Sequence, residues 1–75
     1  MVTRVINCKV PEIRVALGMG NTLILFEGDN IIISEKDNFK GRYKVIDAHG
    51  KVVGTIRRKD VERITQERLP AEVAS

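Results

Sequence analysis

Apolar and polar positions alternate over short stretches of this 75-residue chain, and glycines separate the stretches. A two-residue period places successive side chains on opposite faces, as in a half-buried strand. Residues 2–10 follow it loosely, with Val2, Arg4, Ile6, Cys8 and Val10 set against Thr3, Val5, Asn7 and Lys9. Pro11 suits the end or edge of that strand, because it has no N–H for a ladder. Ile13, Val15 and Leu17 alternate in the same way; one helical turn would also fit so short a span, and the extended reading is preferred. Gly18-Met19-Gly20-Asn21 is a turn, and Thr22 to Phe26 is an apolar run that enters a second turn at Gly28-Asp29. There glycine tolerates positive φ, and the aspartate can accept from nearby backbone N–H groups.

The central stretch, residues 27–64, organises the rest. It reads as three short strands joined by two turns. Residues 30–34 hold three consecutive isoleucines, whose β-branched side chains fit a pleated surface. Lys36 to Gly41 is read as the next connection. Residues 42–47 resume as a strand, with Tyr43 and Val45 on one face and Lys44 and Ile46 on the other. Ala48-His49-Gly50 makes a three-residue hairpin loop, and residues 51–56 return antiparallel. Gly54 inside that strand indicates a bulge or a tight corner. Arg57 to Asp60 reads as a charged turn. Val61 and Ile64 belong either to a last short strand or to a helix running to Leu69, ended by Pro70. The fold class expected is therefore all-β: a small five-stranded barrel with a short C-terminal helical turn. Residues 1–69 form the single domain, and residues 70–75 a frayed tail.

These elements resemble the Src-homology-3-like small barrel. Gly28-Asp29, Ile31 to Ile33, Gly41, Tyr43, Val45, Gly50, Gly54, Ile56 and Val61 fall at the intervals of that family. Every match is a core or turn position, so the resemblance implies architecture and no activity. The family's docking of proline-rich helices needs an aromatic groove. Here Arg42 and Arg57 stand where its groove tryptophan and proline would be, and Asp60 replaces its groove tyrosine. The ferrous-iron transport A-type domain, a sister barrel, is similar through residues 13–20 and 57–64. Residues 45–56 with Asp60 also look like the closing hairpin of a cystathionine-synthase-type adenosyl-nucleotide module. That likeness implies a ribose held by Asp60, but Arg57 occupies its threonine position. Strand and turn chemistry over residues 27–42 also replaces the helix that such a module needs.

Composition narrows the remaining options. A chain this short builds a marginal core unless it closes tightly or has a partner. Hydrophobic residues make up 43% but aromatic ones only 4%, so the core must come from Val, Ile and Leu. A single cysteine, Cys8, cannot form an internal disulfide and fits a reducing compartment or a buried apolar site. No apolar signal region opens the chain and no run approaches a membrane span, so a soluble cytoplasmic protein with no membrane partner is expected. Gly18-Met19-Gly20 lacks the spacing of a phosphate loop. His49, the only histidine, lies in the hairpin turn without a companion at metal-ligand spacing. Asp29, Glu35, Asp37 and Asp47 sit at expected turns, where carboxylates cap backbone amides. No catalytic residues, metal site or cofactor are expected, and the chain is read as no enzyme.

Two binding readings remain. Leu23, Ile24, Leu25 and Phe26 are consecutive, so a strand there must aim about half of them away from its own core. Leu23, Leu25 and Phe26 are the candidate face for a protein partner or a second copy, making the chain an interaction or assembly module. The alternative is nucleic-acid binding, given a net charge of +3 and Arg42, Lys44, Arg57, Arg58, Lys59 and Arg63 in or beside the closing hairpin. Such modules stack bases on exposed aromatics, and only Phe26, Phe39 and Tyr43 are available.

Overall fold

The structure, a computed structural model, describes residues 3–39 and 41–67. Among them are six strands: β1 (Thr3–Asn7), β2 (Glu12–Ala16), β3 (Thr22–Phe26), β4 (Asn30–Phe39), β5 (Arg42–Ile46) and β6 (Val52–Arg57). One helix, α1 (Arg58–Thr65), follows. The strands form two antiparallel sheets. Four pair in the order β1-β4-β5-β6, and β2 pairs with β3 alone. The domain is thus mostly β, as expected, but it has six strands rather than five and no closed barrel.

The β2–β3 hairpin is an excursion between β1 and β4. The chain leaves the four-stranded sheet after Asn7 and returns at Asn30, its direct partner. Backbone bonds lace the outgoing and returning segments together: Cys8 donates to the Asp29 carbonyl at 2.7 Å, Gly28 to Cys8 at 2.9 Å, and Glu27 to Pro11 at 3.3 Å. The turn between them is the one expected at Gly28-Asp29. Gly28 has φ +95°, and the Asp29 carboxylate accepts from the Phe26 N–H at 2.8 Å.

Both sheets and the helix meet in one aliphatic core. The large sheet supplies Ile6, Ile31, Ile33, Val45 and Ile56; the hairpin supplies Ile13, Val15, Leu17 and Leu25; α1 supplies Val61 and Ile64; and Cys8 sits at the joint. Strand β2 alternates strictly between exposed and buried. Its inward Ile13 and Val15 pair with Leu25 and Leu23, which fixes the inward face of β3 as well.

The two sheets do not join into a closed barrel. Where a ladder between β6 and the hairpin would close it, a 3-10 turn at Gly18–Gly20 packs against β6 instead. The Asn21 side-chain amide donates to the Val53 carbonyl there. Gly54 makes the approach feasible, since a Cβ on it would lie 2.8 Å from the Gly18 carbonyl oxygen and 2.9 Å from Leu17 Cβ. The bulge expected at Gly54 is present: the register moves from Val45–Gly54 to Ile46–Val52, leaving Val53 extra on β6. One side-chain bond and a close backbone contact thus stand in for a strand pairing.

Two further expectations are corrected. The connection assigned to Lys36–Gly41 is instead the second half of β4, which runs to Phe39 with a register irregularity after Ser34. Glu35 and Asp37 therefore lie in a strand rather than a turn, and the reversal is left to the residues around Gly41, at φ +80°. Apart from Phe39 the sequence of this half is polar and leads into a glycine, a pattern that reads as a loop. The charged turn at Arg57–Asp60 is the end of β6 and the first turn of a helix. Asp60, Val61, Ile64 and Thr65 form its buried stripe. The helix stops at Gln66, in the left-handed region with φ 60°, whose N–H bonds the Glu62 carbonyl at 2.8 Å. Leu69, Pro70 and the tail at 70–75 lie outside the described residues. Among those described, no helix is long and apolar enough to cross a membrane.

Candidate interaction face

The four-stranded sheet has one face on the core and one away from it. Registers across the strands fix what the second face carries, because directly opposed residues share a face. Val5 opposes Ile32, Ile32 opposes Ile46, and Ile46 opposes Val52. An unbroken apolar row therefore crosses all four strands on the side away from the core. Ile32, Ile46 and Val52 are half-buried, and Val5, at the β1 end, is 63% exposed. A hollow of about 420 Å³ adjoins the row, lined by Val5, Leu23, Ile32, Ile46, Ala48 and Val53 among others.

The next row is Thr3, Ser34, Lys44 and Thr55, and beyond it Arg42 opposes Arg57. Ser34 is fully buried, and among the described residues its hydroxyl has no hydrogen-bond partner. This face thus grades from apolar at Ile46 to cationic at Arg42, along a single strand.

Of the six basic residues picked from the sequence, Arg42, Lys44 and Arg57 come together on this sheet face. Arg58, Lys59 and Arg63 lie on α1. Arg57 and Arg63 turn toward an acid. Arg57 Nε donates to one oxygen of Asp60 at 3.2 Å and Arg63 Nη1 to the other at 3.0 Å, with the Asp60 side chain 2% exposed. Asp60, the residue singled out by the nucleotide-module resemblance, thus has both carboxylate oxygens engaged within the chain. Asn30–Phe39, ahead of the closing hairpin, is a strand.

The hydrophobic candidates divide by parity. Leu25 is buried in the chain's own core, while Leu23 packs against that core half-buried and also lines the hollow beside the apolar row. Phe26 is 53% exposed, and Ile24, not among the candidates, is 46% exposed. On that outward side Ile24 opposes Arg14 and Phe26 opposes Glu12, which makes it a mixed surface rather than an apolar one. The Val5–Ile32–Ile46–Val52 row was the feature missed. Its signal was present in each strand's alternation, but it becomes a row only when four registers align.

His49 is exposed at the tip of the β5–β6 hairpin, where Asp47 Oδ1 accepts from the N–H groups of His49 and Lys51 at 2.8 and 2.9 Å. Cys8 is buried, with its thiol 3.4 Å from the Val10 carbonyl oxygen. Among the described residues no three His, Cys, Asp or Glu side chains gather as metal ligands would. No protein-family model matches this chain, and no curated protein or solved structure does either.

Proposed function

We propose that this chain is a non-enzymatic assembly module that associates with further copies of itself through the four-stranded sheet. The observation supporting it is the Val5–Ile32–Ile46–Val52 row, with its outermost residue well exposed. Covering such a row removes apolar area from water at roughly 25 cal/mol per Å². A small domain with a thin aliphatic core gains more from that than a large one would. Size-exclusion chromatography with light scattering across micromolar concentrations tests the reading. A mass at a multiple of 8.4 kDa is expected, and a monomer throughout overturns it.

A second reading rests on a different observation. Arg42 and Arg57 oppose each other directly, which gathers positive charge that Asp60 offsets on the Arg57 side. With Lys44 on the same face, these residues would meet a nucleic-acid backbone. Contact with about three phosphates gives a log–log salt slope near −2 to −3, at roughly −0.9 per phosphate for duplex DNA. Failure to bind a mixed DNA and RNA pool at low salt eliminates this reading. Self-association is preferred because Asp60 already neutralises part of the positive charge.

A further inference from the structure

The backbone along β1 says where a second copy would attach. Cys8, just past the strand, directs both its N–H and its carbonyl toward the β4 side, to Asp29 and from Gly28. Peptide groups alternate in direction along an antiparallel strand. Arg4 and Ile6 therefore share the orientation of Cys8, and Thr3, Val5 and Asn7 point their N–H and carbonyl groups the other way, off the sheet. Lys9 has the same parity and confirms the assignment: its N–H points outward and is taken up by the Ile64 carbonyl of α1 at 2.8 Å. The helix thus closes one end of the edge, and among the described residues no strand pairs with the remainder.

We infer that β1 is a self-pairing edge, on which two copies join antiparallel about a two-fold axis with Val5 opposite Val5 of the second copy. This deepens the assembly reading above and rests on it. The register follows from the chain itself. Centring on Val5 sets Thr3 against Asn7 of the other copy on both sides, so that all three outward-pointing residues are paired, with two N–H···O bonds in each pair. The same register sets Arg4 against Ile6 rather than against the other Arg4, which avoids like charges directly across the junction. A centre at Arg4 would oppose the two cations and align groups already bonded to β4. Pairing at Val5 also joins the two apolar rows end to end, so the most exposed member of each row becomes its middle. An isologous contact of this kind closes after two copies.

Amide hydrogen exchange, read by NMR on the full chain at several concentrations, tests the register. In the monomer the Val5 N–H faces solvent while those of Arg4 and Ile6 are bonded to β4. In the pair the Val5 and Asn7 amides become protected, and their protection rises with concentration alongside the dimer mass. The companion variant is Val5→Pro, which removes only a donor that the β1–β4 ladder does not use and which an edge strand tolerates. It should keep the wild-type fold by amide chemical shifts, and raise the dimer dissociation constant about tenfold or more. A wild-type monomer defeats the assembly reading and this one together. A wild-type dimer whose Val5 amide stays unprotected, or one unaffected by Val5→Pro, defeats the edge alone. Val5 protection in a monomer would put another part of the same chain on the edge and also overturn the inference.

Discussion

The four-stranded sheet has two edges, and the chain treats them differently. At β6 the 3-10 turn packs alongside, Asn21 donates to the Val53 carbonyl, the bulge at Val53 breaks the regular ladder, and Gly54 lets Gly18 approach. Beside β1, among the described residues, α1 takes up the Lys9 N–H, and no bulge or proline interrupts Thr3–Asn7. An unprotected edge is a template for another strand, and small β proteins commonly blunt both edges. Among the described residues the fold itself uses the β6 edge and leaves most of the β1 edge unpaired, so the proposed contact with a second copy falls where the fold makes no use of the sheet.

Four substitutions sharpen or break that contrast. Gly54→Val should cost about 2–3 kcal/mol in urea unfolding, because its side chain would run into the Gly18 carbonyl and Leu17. A wild-type midpoint would mean that the turn does not seal β6. Asp60→Asn weakens the two ion pairs that fasten the end of β6 to α1, and should lower stability by about 1 kcal/mol, since both arginines are more than half exposed. The loss should shrink in high salt; a loss independent of salt would point to a packing role instead. Asn21→Ala removes the bond to Val53 and should cost about 0.5–1 kcal/mol. It should also bare part of the second edge, giving species larger than the wild-type assembly by light scattering. Val5→Lys should leave stability within about 0.5 kcal/mol, because Val5 contributes little to the core. Its effect should appear as lost association, and an unchanged mass would remove β1 from consideration.

What the sequence made legible was local. Gly28-Asp29, the β5–β6 hairpin with Gly50 at φ +83°, and the alternation of β2 all follow from short-range stereochemistry. The inward parity of Leu23 and Leu25 was also within reach, because pairing with Val15 and Ile13 decides it. The packing of the 3-10 turn on β6 was not. It depends on Gly18 and Asn21 meeting Gly54 and Val53, residues more than thirty positions away, and no periodicity encodes such a meeting. The helix was hard to read because only Val61 and Ile64 carry its apolar signal among charged neighbours, with the buried Asp60 masquerading as a turn residue. The apolar row on the sheet was hidden for a related reason: each member is one residue from a different strand.

The lacing of Cys8, Pro11, Glu27, Gly28 and Asp29 bears on how the molecule comes to be built. β4, β5 and β6 are consecutive and can zip as a meander, and β2 with β3 closes as a hairpin on its own. β1 alone must find a partner across an intervening element, with Asn7 and Asn30 standing 23 positions apart. Bringing distant segments together carries the larger loop-closure entropy. Loop closure thus predicts that β1 docks after the meander and the hairpin have formed, so that its rim is completed late.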